Sequence, residues 1–445
     1  MTSRREQAAD YWMQALREDH AASSIAGLQA ATEAYAMTLN GHPFCTCLRP
    51  LFVERSQVSA AYEAAEAVMR AIGIAARALL RDTNMRREAG FPPYLDSLID
   101  LDKDVAKEEL FGRIDGVFDR SGCIQFLEYN SDAGGLPTTF ESSRALARLP
   151  IAADVGRRFP FTVFDNRDHF VDALVEDARE HGRPVPVSII LPSGFPAITN
   201  AERPWMSYAA SRGCRVIYAD LAKLDVRADG VYVNGAPAGW IEVELKVLTE
   251  RAAELAPLIG ALKRGNVHLI SGASQAVLRS NKLTFAVLSD PEYASLFDSD
   301  SQRALQQHVP WTRRLRAGVT THAGRKVDLL SHVAAHREDF VLKPAGGTGG
   351  EGVVLGWTVD QTRWEAALKQ ATKRPHVVQQ RVLYSREVFP MLVDGKIVEQ
   401  ERSWDFNPFT WNGRRAEGVL VRVGEDLLNV SARGSGAGVF VLDSP

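Results

Sequence analysis

One stretch constrains the fold more than any other. Residues 340–356, FVLKPAGGTGGEGVVLG, read as a strand, a glycine-rich loop and a second strand. Lys343 stands on the first strand, and Gly346, Gly347, Thr348, Gly349, Gly350 and Gly352 follow it. A loop with so little side chain lets backbone N–H groups close on an anion, and a lysine beside it supplies positive charge to phosphate oxygens. Two familiar nucleotide loops are excluded: no GK[ST] ending marks a Walker A loop, and the stretch leads into a strand where a dinucleotide fingerprint opens a helix. Taken alone, it reads equally well as a flexible loop with a solvated lysine.

With 445 residues, 45% of them hydrophobic, the chain buries more than one core and is expected to form two or three domains. A formal net charge of −3 gives no basic surplus for nucleic acid or an anionic membrane, so small molecules are the expected partners. The opening residues carry no signal-peptide pattern and no later run is long and apolar enough to span a bilayer, so a cytoplasmic protein is expected. Cys45, Cys47, Cys123 and Cys214 are too few for a disulfide framework, and the Cys45/Cys47 pair has no second Cys/His cluster to complete a metal site.

Along the chain, residues 56–82 place Val58, Tyr62, Met69, Ile72, Ala76 and Leu79 on one helical face. Residues 112–135 read as a hairpin turning at Arg120–Gly122. From Phe170 to Tyr218 helix and strand alternate, with strands at VSIIL and RVIYA, which predicts a βαβ unit with parallel strands. The final third reads as an antiparallel sheet with strands at HVVQQRVL, MLVDGKIVEQ, EGVLVRVG and GVFVL, and a DG turn at Asp394–Gly395.

A second cluster lies far from the first: Arg113 and Asp115 in RIDGVFD, then Glu128 and Asn130 in FLEYN. Residues two apart on a strand share a face, so both pairs converge across a hairpin. The product is a set of hard oxygen ligands beside a guanidinium, suited to Mg²⁺ bound with nucleotide phosphates. A surface hairpin with solvated charges is the plainer alternative for either pair alone.

RxD, then ExN, together with KP and a glycine-rich loop, resemble the metal-binding and phosphate-covering ends of ATP-grasp ligases. The usual order is reversed here, as in the circularly permuted ATP-grasp family distantly related to glutathionylspermidine synthase. The resemblance implies an α/β (α+β) ATP-grasp fold, circularly permuted, with a Rossmann-like pre-ATP-grasp βαβ domain. It divides the chain into an N-terminal helical region with the metal-binding hairpin (1–160), the Rossmann-like domain (161–270) and nucleotide-binding lobes with a glycine-rich lid (271–445). SNKLTFAVLSD resembles the family's NK segment, which puts Lys282 beside Lys343 on the phosphates. HVVQQRV resembles its hinge strand, which makes Gln379, Gln380 and Val382 candidates for the adenine pocket, with Glu387 toward ribose or adenine. LVRVGEDLLNVSARGSG resembles its closing segment, which brings in Arg422, Asn429 and Arg433.

The implied activity is ATP-dependent carboxylate–amine ligation through an acyl phosphate. ATP and Mg²⁺ are the implied cofactors, small carboxylates and amines, including amino acids or peptides, the implied substrates, and a homodimer is compatible. Asp115, Glu128 and Asn130 are the expected metal ligands. Arg113, Lys343 and Arg422 are the expected catalytic cations, and Gly346–Gly350 with Lys282 bind the nucleotide. Arg49, Arg279 and Arg433 each match a substrate carboxylate or a structural ion pair. An ATP-grasp phosphotransferase and a non-catalytic nucleotide-binding module are the alternatives. A biotin-dependent carboxylase lacks its biotinyl lysine motif.

Overall fold

The structure, a computed structural model, describes residues 3–35, 37–39, 41–93, 95–99, 101, 109–131, 136–164, 168–180, 187–192, 203–243, 245–270, 272–347, 349–384, 386–425 and 434–443. In chain order, a short strand β1 (Leu51–Glu54) runs into the long helix α1 (Arg55–Arg81). The side-chain carbonyl of Gln57 accepts the Glu54 N–H at 3.1 Å and closes the start of α1. Val58, Met69, Ile72, Ala76 and Leu79 are buried along it as their spacing predicts, while Tyr62 is half-buried and its hydroxyl accepts from the Gly418 N–H at 2.8 Å.

The hairpin follows as β2 (Phe111–Phe118) and β3 (Ile124–Asn130). Next come β4 (Phe161–Val163) and the parallel strands β5 (Val187–Pro192), β6 (Cys214–Ala219), β7 (Trp240–Ile241) and β8 (His268–Leu269). These four form one sheet in the order β8-β7-β5-β6, with helix Arg203–Ser211 joining β5 to β6. The loop after β5, at Ser193 and Gly194, lies outside the described residues.

Helix α2 (Lys282–Ser289) begins directly at the predicted lysine, capped by the Asn281 side chain on the Leu283 N–H at 3.0 Å. Then β9 (Thr312–Arg314), β10 (Phe340–Pro344), β11 (Val354–Leu355), α3 (Gln361–Ala371) and β12 (His376–Gln380) build a small lobe. Its antiparallel sheet has the order β9-β12-β10-β11. Phe340, Leu342, Trp364, Leu368 and Val378 form an apolar cluster separate from the main core, so this lobe carries its own interior.

The chain then supplies β13 (Arg386–Val393), β14 (Lys396–Trp404), β15 (Asn407–Trp411), β16 (Arg415–Gly424) and β17 (Ser435–Ala437). These strands join the early hairpin in one antiparallel sheet, β13-β14-β16-β15-β2-β3, with β17 on β16. Asp394 and Gly395, at φ 49° and 75°, make the expected DG turn between β13 and β14.

The expected single sheet of the final third is therefore two sheets, and its last strand belongs to neither. β18 (Val439–Leu442) runs parallel to β1 and antiparallel to β4. All four of its residues are buried, and a wholly apolar run suits a central strand covered on both faces. The architecture is a mixed α/β one, with helices packed on several sheets.

Candidate functional site

The glycine-rich loop and the early hairpin line one cavity of about 450 Å³ between the small lobe and the large antiparallel sheet. Its floor is a face of that sheet. The β2/β3 register sets Arg113 opposite Asn130 and Asp115 opposite Glu128, the convergence that two-residue spacing predicts. On the other side of β2, strand β15 brings up Asn407, whose Oδ1 accepts the Gly116 N–H at 3.0 Å. Just before β15 stands Asp405, and β16 adds Arg422.

An unbroken row of charges crosses this floor. Arg113 donates from Nε and Nη2 to the two oxygens of Asp115, at 2.5 and 3.1 Å. Arg422 donates from Nη2 to Asp115 at 2.9 Å and from Nε to Asp405 at 2.6 Å. Asp115 is only 3% exposed. Burial would raise its carboxyl, but Arg113 and then Arg422 outweigh that and hold it below the usual carboxylate range. At Asp405 burial wins: the carboxyl is raised, with Asp115 adding to the rise while Arg422 and the Asn407 amide pull the other way.

Two lysines stand at the other end. Lys282 lies 3.2 Å from the Glu128 carboxylate and 3.3 Å from the carbonyl of Gly347, so it links floor to loop. Lys343, 9% exposed, donates to Gln379 Oε1 at 2.7 Å. Burial, with the nearby Lys282, brings the Lys343 ammonium down to about 8, against the opposing pull of Glu128 and Asp115. Glu128, raised by burial, is drawn down further by Lys282 and Lys343 and sits below its ordinary value.

The roof is the loop. Gly347, Gly349, Gly350 and Gly352 have φ of 98°, 70°, 76° and 73°, a conformation that side chains resist. Where such a residue neighbours one of ordinary negative φ, successive N–H groups turn toward a common concavity. Gly346, Gly347, Gly349 and Gly350 all line the cavity, and Thr348 lies outside the described residues. Beyond the lysines the walls turn apolar: Val341, Val353, Leu355, Trp357 and Val382, with Leu127 from β3. The Arg381 guanidinium stacks 4.0 Å over the Trp357 ring.

Other expected residues fall elsewhere or are already committed. Gln379, Gln380 and Val382 all line the cavity, and Gln379, which is buried and also donates to Thr312 Oγ1 at 3.0 Å, orients Lys343 there. Glu387 is absent from the cavity lining: it pairs with Arg5 and, at 3.0 Å, with Arg49. Arg49 is thereby a buried structural cation, stacked 4.2 Å over Phe389. Arg279 is fully buried, donating to Gln275 at 3.0 Å and facing Glu109. Asn429 and Arg433 lie outside the described residues. Asp405, Asn407, Trp357 and Tyr384 line the cavity without having been expected there. The DFN of residues 405–407, two polar residues two apart among aromatics, carries the same signal as RxD and ExN.

For a metal ion, the donor chemistry divides the expected set. The Asp115 carboxylate already accepts three N–H groups, so most of its acceptor capacity is taken by Arg113 and Arg422. Glu128 keeps 29% of its side chain exposed, and the solvent-shielded amide end of Asn130 has no hydrogen-bond partner. Turning that amide over presents its oxygen. Two such ligands suit Mg²⁺, which takes much of its shell from phosphates and water. Among the described residues no group of three or more His, Cys, Asp or Glu is arranged for a metal. The four cysteines are free thiols, and burial pushes Cys45 up to about 12 and Cys47 to about 11.

A glutathione synthetase-like effector from Globodera pallida, solved in its apo form, superposes on 94% of this chain and 96% of its own, with a TM-score of 0.64. The two are 11% identical, so the likeness is one of fold. No family model and no curated protein matches the chain. Among the described residues no helix is long and apolar enough to cross a membrane.

Proposed function

We propose that the protein is an ATP-dependent carboxylate–amine ligase on a circularly permuted ATP-grasp fold. What carries the reading is the meeting of hairpin and loop: Arg113, Asp115, Glu128 and Asn130 line one cavity with Gly346, Gly347, Gly349 and Gly350, and Arg113, Lys282, Lys343 and Arg422 are set there against Asp115, Glu128 and Asp405. Its volume of about 450 Å³ falls in the range of small-molecule sites. The apolar wall at Val341, Leu355, Trp357 and Val382 is suited to a purine ring, and the lysine end to a polyphosphate.

In this scheme Lys282 and Lys343 neutralise the phosphates while the loop N–H groups close over them. A Mg²⁺ ion held by Glu128 and Asn130 would supply further positive charge there. Arg113, fixed by Asp115, faces the γ-phosphoryl group as it passes to a carboxylate oxygen, breaking its bond to ADP. The amine nitrogen then bonds to the acyl carbon, phosphate leaves, and the nitrogen loses a proton. Because acyl phosphates hydrolyse, the glycine lid also excludes water.

The test is ADP release from the purified protein with Mg²⁺ and ATP, across a panel of amino acids and dipeptides offered as acid and as amine. Release that requires both components supports the ligase. Release with acid alone and a stable phosphorylated product identifies a phosphotransferase instead, and nucleotide binding without turnover identifies a binding module.

A further inference from the structure

The two ends of the cavity differ in charge balance. At the lysine end, Lys282 and Lys343 face Glu128, which leaves positive charge over for a polyphosphate. At the other end Arg113 and Arg422 are matched by Asp115 and Asp405, so what they offer a ligand is direction more than net charge. Asp405 is 2% exposed and grips residue 422 three ways. Its Oδ2 accepts Arg422 Nε at 2.6 Å, its Oδ1 accepts the Arg422 backbone N–H at 2.6 Å, and its own N–H donates to the Arg422 carbonyl at 3.1 Å. With Nη2 held by Asp115, the guanidinium plane is fixed, and among the described residues Nη1 takes no hydrogen bond. Removing a carboxylate from such a lattice frees the guanidinium to rotate, because the remaining contact to Asp115 restrains one nitrogen only.

Resting on the ligase reading above, we propose that Asp405 is a positioning residue: acting through Arg422, it aims a guanidinium edge at the carboxylate of the acid substrate and leaves the ATP phosphates to the lysine end. A planar carboxylate matches two parallel N–H groups of a fixed guanidinium, so the orientation of that plane sets how the acid lies against the γ-phosphoryl group.

The experiment uses the full chain and the acid–amine pair that gives the fastest ADP release. Asp405→Asn raises KM for the acid roughly tenfold or more, while ATP affinity by calorimetry stays within about twofold. Asp405→Glu restores part of the loss. Arg422→Lys raises the acid KM likewise, and D405N/R422K together are no worse than R422K alone, the non-additivity of residues acting as one unit. Loss of ATP affinity in step with the acid KM, or multiplying effects in the double variant, overturns the proposal. Should the wild type show no acid-dependent ADP release, the ligase reading falls, and the positioning role is then decided by the crystal structure of D405N or, if that variant does not fold, D405E. Arg422 leaving Asp115 supports it, and an unmoved guanidinium overturns it.

Discussion

The floor of the cavity is a row of ion pairs on neighbouring strands, whereas its roof is a run of glycines that Lys282 ties to the floor. On the floor, Arg113, Asp115, Asp405 and Arg422 hold one another from neighbouring strands and the turn between two of them, so this geometry exists before any ligand arrives. On the roof, a Cβ built at Gly346 or Gly347 would meet nothing within 4 Å. A site made this way keeps its electrostatics preorganised and leaves closure to the one part that can move without breaking an ion pair.

That contrast can be broken at the floor first. Glu128→Ala is expected to lower kcat by about a thousandfold or more while the circular dichroism spectrum and most of the nucleotide affinity survive. Survival of turnover would remove Glu128 from the site. Asp115→Ala leaves two buried guanidinium groups short of a partner and should cost about 3–5 kcal/mol in urea unfolding, beyond its effect on turnover.

At the roof, Gly350→Val forces a branched side chain into φ 76°, yet should change unfolding free energy by only about 1 kcal/mol while lowering kcat/KM roughly tenfold. A large stability loss there would mean that the loop is part of the scaffold. Titration sharpens the comparison further. In the ligand-free protein the Lys343 ammonium comes down to about 8, below the ordinary lysine value, so the folded protein loses this proton first. Raising the pH through 8 should weaken ATP binding by up to about tenfold per unit, and bound ATP should draw a proton onto the lysine. Calorimetry between pH 7 and 9 reads this directly, and Lys343→Arg should flatten the profile. Protein stability moves the opposite way, rising with pH between about 8 and the unfolded lysine value of about 10.4. The smallest effect is expected at Gly346→Ala, which should stay within about 0.5 kcal/mol of wild type.

Much of this was legible in the sequence because strand periodicity and glycine runs are local signals. RxD, ExN and the loop each declare a face or a conformation within a few residues. The βαβ order and the helix at Arg55–Arg81 follow from equally local patterns. What the sequence withheld is pairing at a distance. That Asp115 serves two guanidinium groups depends on β15 lying beside β2 and β16 beside β15, and no spacing in the chain encodes that neighbourhood. The same applies to Glu387 and Arg49, whose mutual ion pair is invisible until the strand at 386–393 is placed beside the segment at 46–48. Asp405 and Asn407 show the opposite failure, a local signal present but outweighed by the aromatic residues around it.

The strand at Val439–Leu442 has a consequence for how the molecule is made. It is the middle strand of its three, and its neighbours, Leu51–Glu54 and Phe161–Val163, pair with it and not with each other. On a translating ribosome those earlier segments emerge long before the strand that joins them, so this sheet forms only after Val439–Leu442 has been made. Until then Phe52 and Phe161 lack Phe440, the ring on which both pack, and this is where a nascent chain has most need of protection from association.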